Sequence, residues 1–236
     1  MQPDIVSAAI NAVLLNLRWL LPVLLVIGAL RLLFEAKLKG AAGEAAVSKR
    51  LRELGSEVLD DIVIPDGRGG LTQLDHVVLT RYGFLVVETK NYGGMIFGQE
   101  RDKQWTQRMG RKSFRMRNPL HQNYGHVQAL KALTPDIPVF GRVVFAGSAE
   151  FPKGIPYGVS TLRSLADDFS SLRDVTIDQR SLQAAWNDLK TLMRYGKNAG
   201  KEHMEHIENK HGKSLRVPVA SGMLFIAALI SLTFLS

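Results

Sequence analysis

The chain contains no cysteine, so disulfide scaffolds and cysteine-ligated zinc sites are excluded. It also has fewer acidic than basic residues, 22 Asp and Glu against 30 Lys and Arg, which gives a formal net charge of +8. This surplus favours an anionic partner, either nucleic acid or the anionic surface of a membrane. At 236 residues, the chain is long enough for one domain with appended segments.

Two stretches almost lack charge. Residues 217–236 contain no charged side chain, and residues 8–30 contain only Arg18. About 20 apolar residues cross the hydrocarbon core of a bilayer, so we predict a transmembrane anchor within residues 1–36 and a transmembrane helix over residues 217–236. A cleaved signal peptide is an alternative at the N-terminal end, and a short buried helix is an alternative at either end.

Basic side chains flank both apolar segments on the side of the middle of the chain. Arg31 and Lys37 follow the first segment, and Lys213 and Arg216 precede the second. Because basic loops stay in the cytoplasm, both ends independently predict that the middle of the chain is cytoplasmic. The expected location is the inner, cytoplasmic membrane, with the lipid bilayer as a partner.

The middle of the chain alternates between helical and extended patterns. Residues 43–55 have apolar positions at helical spacing, and the apolar runs "EVLDDIVI", "LTQLDHVVLT" and "FLVVETK" follow with turn residues between them. We predict another helix over residues 120–133 and a helical linker over residues 176–214. This order predicts an α/β domain over residues 40–175, with a mixed, partly antiparallel β-sheet flanked by helices.

Two carboxylates interrupt apolar strands on either side of a short turn, Asp75 in the second predicted strand and Glu88 in the third. Adjacent strands are about 4.8 Å apart, so the two side chains can approach, and their repulsion predicts a divalent cation between them. Carboxylate oxygens suit Mg²⁺ or Mn²⁺. Lys90 shares the face of Glu88, where its ammonium can stabilise charge on a phosphate. The alternatives are an exposed edge position for Asp75 and a simple Glu88–Lys90 ion pair.

Two other polar residues lie on faces that are otherwise apolar. Glu44 points with the stripe of Val47 and Leu51, and Gln122 shares a helix face with His126. Glu44 can instead complement the dipole of its helix, and Gln122 can instead bond free backbone groups at a helix N-terminus. For His126 we favour a core or stacking role over a catalytic one.

A basic segment follows the third predicted strand. Basic side chains interleaved with aromatic rings suit phosphate contacts and base stacking, so we predict a nucleic-acid-binding surface. Its residues are Arg101, Lys103, Trp105, Arg108, Arg111, Lys112, Arg115 and Arg117. The alternative is a basic hairpin that faces solvent or anionic lipid headgroups.

Several motifs occur together in a fixed order: "GEAAVSKRL", "QLDHVVLTRYGFLVVETKNYGG", "QW" and "NPLHQNYGHVQAL". Over residues 40–148 they resemble the nuclease-related domain, NERD, and with it the restriction-endonuclease-like PD-(D/E)xK superfamily. The resemblance implies a restriction-endonuclease-like sheet flanked by helices and Mg²⁺-dependent cleavage of DNA. One departure is Leu74, which stands where the superfamily motif has a proline that is often missing.

The resemblance also implies roles for individual residues. The metal ligands would be Asp75, Glu88 and the backbone carbonyl of Thr89. The catalytic set would comprise Glu44, Asp75, Glu88, Lys90 and Gln122, with Lys90 as the catalytic lysine and Glu44 as the acidic residue of the first helix.

We therefore expect a membrane-anchored nuclease that hydrolyses DNA phosphodiester bonds with Mg²⁺ or Mn²⁺ as cofactor. One alternative is a non-catalytic, membrane-bound nucleic-acid-binding or scaffold protein with a nuclease-like fold. Another is a structural protein whose basic hairpin packs on lipid headgroups. The intact Glu-x-Lys motif argues against a residual, inactive nuclease fold.

Overall fold

The computed structural model describes residues 20–54, 57–170, 177–192 and 216–233. The chain divides into two units, one formed by residues 1–39 with 210–236 and the other by residues 40–209. The residues predicted to form the active site all lie in the second unit.

The described residues form helices and strands in the following order along the chain. The helices are α1 (Leu20–Glu53), α2 (Pro119–Leu133), α3 (Leu165–Ser170), α4 (Gln179–Leu192) and α5 (Arg216–Thr233). The strands are β1 (Glu57–Pro65), β2 (Leu71–Thr80), β3 (Gly83–Lys90), β4 (Gly94–Phe97), β5 (Gln104–Met109), β6 (Lys112–Arg117), β7 (Val139–Phe145), β8 (Ala149–Glu150) and β9 (Val159–Thr161).

The strands form two mixed sheets. The first sheet has the order β1-β2-β3-β7-β9 and the second has the order β6-β5-β4-β8. In the first sheet, β1, β2 and β3 are antiparallel neighbours, whereas β3, β7 and β9 run parallel. The turn between β2 and β3 requires a glycine, because a Cβ atom on Gly83 would come within 2.2 Å of the carbonyl oxygen of Pro138.

The predicted mixed α/β class is confirmed, but the expectation of one sheet is wrong. Strands β4, β5 and β6, which come directly after the turn that follows Lys90, form the second sheet with β8 instead of extending the first sheet. In the β5–β6 hairpin, for example, Trp105 pairs with Met116 and Arg108 pairs with Ser113. The fold is therefore a mixed α/β fold with two mixed sheets flanked by helices.

Each face of the first sheet is covered by a hydrophobic cluster. The first cluster joins the sheet to α2 and α4 through Phe84, Val86, Leu130, Trp186 and their neighbours. The second cluster covers the other face with α1 and includes Val47, Leu51, Leu85 and Val87. Burial on both faces explains why β3 reads as an almost continuous apolar run.

Asn118 fixes the start of α2. Its side-chain oxygen accepts the N–H of Leu120 at 2.9 Å, and Pro119 follows in the first turn, where a proline is well tolerated. Its side-chain nitrogen donates to the carbonyls of Asp102 at 2.7 Å and Glu100 at 3.0 Å. One buried side chain therefore ties α2 to the loop before β5.

The alternation of side chains along β2 changes phase beside the expected site. Leu74 and Val77 both belong to the first cluster although they are three positions apart, which strict alternation forbids. On the neighbouring strand, Asp61 has a φ of 51°, which is uncommon for a residue other than glycine. The local backbone therefore departs from regular strand geometry beside Asp75 and His76.

The predicted transmembrane helices are not supported by the described residues. Within the described ranges, no helix combines the length and the apolar character that crossing a membrane requires. Residues 1–19 and 234–236 lie outside the described part.

Helix α4 lies in the region predicted as a helical linker, residues 176–214. Leu182, Trp186 and Leu189 on α4 belong to the first hydrophobic cluster. Trp186 is fully buried, its ring centroid lies 5.5 Å from that of Phe84, and its Nε1 donates to Glu57 at 2.9 Å. The remainder of the predicted linker, residues 193–214, lies outside the described residues.

We predict that Trp186→Ala lowers the free energy of unfolding by about 3–5 kcal/mol, because truncating a large buried aromatic side chain leaves a cavity. Denaturant titration of the full chain measures this change. Asn187→Ala on the exposed side of the same helix is the matched control and should stay within about 0.5 kcal/mol of wild type. A small effect of Trp186→Ala would mean that α4 does not stabilise the sheet.

Candidate active site at the end of strand β3

The pairing of β2 with β3 brings the two acidic residues together. His76 pairs with Val87 in the antiparallel register, so Asp75 is the next residue toward Glu88. Asp75 Oδ2 accepts the backbone N–H of Thr89 at 2.7 Å. The carboxylate of Asp75 thus lies directly beside the Glu88–Thr89–Lys90 segment.

Lys90 and helix α2 surround the carboxylate of Glu88. Lys90 Nζ donates to Glu88 Oε1 at 2.6 Å and to Gln122 Oε1 at 3.1 Å. His126 Nε2 lies 3.2 Å from Glu88 Oε2, although it lacks the alignment of a hydrogen bond. Gln122 and His126 reach the site together because residues four apart lie on one face of a helix.

Helix α1 adds Glu44 to the same region. Glu44, Asp61 and Asp75 line a groove of about 760 Å³ between α1 and the first sheet. The other lining residues are Ala41, Ala45, Ser48, Lys49, Arg52, Glu53, Asp60 and His76. Burial raises the pKa of Glu44 above its ordinary value; Asp61 and Glu88 also raise it, while His76 and Lys90 act in the opposite direction.

Asp75 and Glu88 respond to each other's charge in opposite ways. Burial and the negative charge of Glu88 raise the pKa of Asp75 to about 7, against the lowering effect of the Thr89 N–H. Burial also acts to raise the pKa of Glu88, but His126 and Lys90 outweigh it and hold the pKa below its ordinary value. Near neutral pH, Glu88 is therefore charged while Asp75 retains much of its proton.

Lys90 remains a cation despite its burial. Burial lowers the pKa of its ammonium, but the charges of Glu88 and Asp75 outweigh burial and raise the pKa above its ordinary value. Lys90 therefore acts as a fixed positive charge and hydrogen-bond donor near neutral pH.

The donor chemistry of the site fits a hard divalent cation. Asp75 and Glu88 offer carboxylate oxygens, and their mutual repulsion is the conflict that such a cation relieves. Among the described residues, however, no three histidine or acidic side chains converge as a metal site. The two carboxylates would therefore need further ligands from a backbone carbonyl, such as that of Thr89, and from solvent.

Two histidines join the site although the sequence pattern predicted no site role for His76 and favoured a core or stacking role for His126. His76 Nδ1 lies 2.7 Å from Asp60 Oδ1, and its Nε2 lies 3.0 Å from Thr89 Oγ1. Its signal was a polar ring inside the apolar run of β2, next to Asp75. The predicted core position of His126 is confirmed by its burial, but the ring also contacts Glu88.

The predicted basic surface lies on the loop and strands of the second sheet. Arg108, Arg115 and Arg117 point to one face of the β5–β6 hairpin, because Arg108 pairs with Ser113 and Thr106 pairs with Arg115. The remaining basic residues of the set, Arg101, Lys103, Arg111 and Lys112, are also exposed. No ion pair joins any of them to an acidic group in the described part of the chain.

The prediction that Trp105 stacks on nucleic-acid bases is wrong. Its side chain is 0% exposed, its ring stacks on Phe145 at a centroid distance of 6.3 Å, and its Nε1 donates to the carbonyl of Gln99 at 3.0 Å. Trp105 therefore belongs to the core between the sheets. On the same hairpin, Phe114 is the exposed aromatic residue, with 49% of its surface accessible.

The fold and the site together define a mixed α/β domain with two acidic residues and a lysine at the end of one buried strand. The model of the nuclease-related domain family, NERD, matches residues 39–146. An uncharacterized protein of Bacillus anthracis is 31% identical over 185 residues, which cover 75% of this chain and 87% of that relative. The chain belongs to the NERD family, in agreement with the PD-(D/E)xK superfamily assignment.

A solved structure is also similar to this chain. The crystal structure of the protein of unknown function AF1548 matches 80% of this chain and 97% of its own, with 12% sequence identity and a TM-score of 0.31.

The opposite pKa shifts of two neighbouring aspartates give a prediction for stability without metal. Burial raises the pKa of Asp60, but hydrogen bonds from His76, Arg52 and Ser48 outweigh it and lower the pKa to about 2. Charged Asp60 therefore stabilises the fold above pH 3.8, whereas charged Asp75 destabilises it as the pH rises from 3.8 through about 7.

In EDTA at pH 8 we expect Asp75→Asn to raise the Tm by a few degrees and Asp60→Asn to lower it. The gain from Asp75→Asn should vanish near pH 4, and the loss from Asp60→Asn should shrink as the pH falls from 4 toward 2. Thermal unfolding across this pH range measures both. Shifts of equal sign at pH 8 would contradict the assigned electrostatics.

Proposed function

We propose that the chain is a metal-dependent nuclease that hydrolyses DNA phosphodiester bonds. The observation that carries the proposal is the close approach of Asp75, Glu88 and Lys90 at the end of β3, with Lys90 Nζ 2.6 Å from Glu88 Oε1. The two acids repel each other and the lysine remains charged. Membership in the NERD family supports a nuclease-like function.

Asp75, Glu88 and the carbonyl of Thr89 would hold Mg²⁺ or Mn²⁺, because these ions prefer oxygen ligands. The raised pKa of Asp75 supports this assignment, since a cation offsets the charge of Glu88. When bound, the ion would neutralise phosphate charge and favour ionisation of an attacking water.

Lys90 would stabilise the negative charge that accumulates on the phosphate oxygens during attack. Gln122 accepts a hydrogen bond from Lys90 at 3.1 Å while Glu88 accepts another. Two acceptors hold the ammonium in place before substrate binds, and such preorganisation is a main source of electrostatic catalysis.

Glu44 would serve proton exchange in the groove. Hydrolysis adds water across a P–O bond, so the attacking water loses a proton and the leaving oxygen gains one. A carboxyl whose pKa is raised toward neutrality suits such transfers, and the pKa of Glu44 is raised by burial and by neighbouring acids.

DNA is the proposed substrate, and the exposed basic residues of the β5–β6 hairpin are its proposed contacts. A nuclease-related domain suggests nucleic-acid binding. In sequence, the hairpin lies between Lys90 on β3 and Gln122 on α2. The basic residues and the proposed catalytic residues therefore belong to one continuous segment of the domain. The location at the cytoplasmic face of a membrane stays a prediction from sequence.

A second candidate function is nucleic-acid binding without cleavage. It is favoured by the contacts of both Glu88 oxygens with side chains of the protein, Lys90 and His126, and by the lack of a three-ligand cluster in the described ranges. Cleavage assays separate the two functions.

We expect purified full-length protein to cleave plasmid or linear DNA with Mg²⁺ or Mn²⁺ and not in EDTA. Asp75→Ala and Lys90→Ala should each lower the rate by about 10²–10³-fold, because each removes a group that stabilises the transition state. The rate of product formation on labelled DNA measures this loss.

Asp136→Ala and Lys131→Ala are matched controls, since both residues are exposed and lie outside the groove. They should cleave at the wild-type rate. If Asp75→Ala and Lys90→Ala cleave as fast as these controls, a contaminating nuclease explains the activity and the proposal fails.

The basic hairpin gives a separate prediction for binding. In the Asp75→Ala background, Arg115→Ala should reduce the slope of log K against log salt concentration by about 0.9, the value for one lost phosphate contact on duplex DNA. Fluorescence anisotropy at several salt concentrations measures the slope. Arg163→Ala, an exposed arginine outside the hairpin, is the control.

An unchanged slope for Arg115→Ala would remove the hairpin from the DNA interface. If the hairpin instead binds vesicles of anionic lipid that excess DNA does not displace, the lipid-facing alternative gains support.

A further inference from the structure

His76 is buried in the first sheet with both ring nitrogens engaged. The residue is 1% exposed, it is followed by Val77 and Val78 along β2, and it pairs with Val87 on β3. Its Nδ1 lies 2.7 Å from Asp60 Oδ1 and its Nε2 lies 3.0 Å from Thr89 Oγ1. Because a carboxylate only accepts hydrogen bonds, Nδ1 carries a proton, and in the neutral ring Nε2 accepts from the Thr89 hydroxyl.

The hydrogen bonds run from helix α1 through Asp60 and His76 to Thr89. Helix α1 holds Asp60 in place. Asp60 Oδ2 accepts from Ser48 Oγ at 2.8 Å and from Arg52 at 2.7 Å. Arg52 also contacts Ser48 and donates to the carbonyl of Val58 at 3.3 Å. The carboxylate of Asp60 is thus held from both sides, so it can orient the imidazole ring of His76.

Thr89 is the last residue of this hydrogen-bonded series and lies between Glu88 and Lys90. Its hydroxyl bonds to His76, and its backbone N–H donates to Asp75 Oδ2 at 2.7 Å. The position of one residue therefore governs the contact between the strand end and the acidic residue of β2. A simple core histidine would need no such connection, because an apolar side chain would fill the same space without burying polar atoms.

We propose that His76 is a positioning residue that, through the Thr89 hydroxyl, holds the end of β3 in register with Asp75. Ser48, Arg52 and Asp60 orient the ring, and the ring orients Thr89. This inference rests on the proposed function where it concerns metal and DNA, whereas its claim about the Thr89 backbone stands independently. Residues that orient metal ligands typically contribute about 10–100-fold to metal affinity or activity.

The test compares His76→Ala, Thr89→Val and Thr89→Ser in the full chain. Thr89→Val keeps the shape and the backbone N–H but removes the hydroxyl, and Thr89→Ser restores the hydroxyl. Thr80→Val is the matched control, because Thr80 is a buried threonine of β2 whose hydroxyl bonds to the carbonyl of Gly83.

The first measurement is amide hydrogen exchange at position 89 by NMR without metal, compared with Leu85 in the same strand. His76→Ala and Thr89→Val should each accelerate exchange at position 89 relative to Leu85 by about 10-fold, because the hydrogen bond to Asp75 opens more often. Thr89→Ser and Thr80→Val should leave this ratio at the wild-type value. Equal ratios in all variants would overturn the proposal.

The second measurement is the Mn²⁺ concentration that gives half of the maximal rise in Tm, together with the concentration that gives half of the maximal cleavage rate. His76→Ala and Thr89→Val should raise both concentrations by about 10-fold. The double variant should resemble the single ones, since the two residues act in one chain. If His76→Ala lowers the Tm but leaves both half-maximal Mn²⁺ concentrations unchanged, His76 contributes to packing and not to metal binding.

The two measurements separate this proposal from the proposed function. If the wild type neither gains stability from Mn²⁺ nor cleaves DNA, the metal-dependent nuclease fails, and the exchange ratio at position 89 still decides the positioning role. If the wild type binds Mn²⁺ and cleaves DNA but the exchange ratio is unchanged in His76→Ala, only the positioning role fails.

Discussion

The buried approach of Asp75 to Glu88 is the constraint on which the site depends. Two carboxylates in a desolvated position cannot both be charged without a compensating positive charge, and the protein compensates them unequally. Lys90 donates to Glu88 and His126 lies beside it, and the pKa of Glu88 is lowered, while Asp75 has the Thr89 N–H and a pKa of about 7. Near neutral pH, Glu88 is therefore charged, while Asp75 is close to its pKa. A pair in this state can bind a divalent cation or exchange a proton.

Three elements from distant parts of the sequence build this asymmetry around one strand end. Helix α2 brings Gln122 to Lys90 and His126 to Glu88, whereas α1 brings Glu44 to the groove and Arg52 to Asp60. Strand β3 itself is almost entirely buried between two hydrophobic clusters. A buried core thus supports the polar groups at the end of this strand.

In the β5–β6 hairpin of the second sheet, the aromatic and the basic residues of one predicted binding segment have different roles. Basic and aromatic side chains are interleaved there, but Trp105 faces Phe145 in the core while Arg108 and Arg115 face solvent. The local pattern indicates a strand with two different faces. It does not indicate which face is buried, because that depends on how the hairpin packs against residues distant in the chain, among them Phe145.

The amino-acid sequence by itself determined the strands, the helix that begins after Asn118 and the close approach of Asp75 to Glu88, since periodicity, capping and a short turn are local properties. Only the tertiary structure decided the division into two sheets, the burial of Trp105 and the contacts of His76 and His126, because each depends on residues distant in the chain. Strict alternation of side chains along β2 likewise could not predict that Leu74 and Val77 lie on the same face of the sheet. The metal-site hypothesis came from local spacing, whereas the electrostatics that support it arise from the surrounding fold.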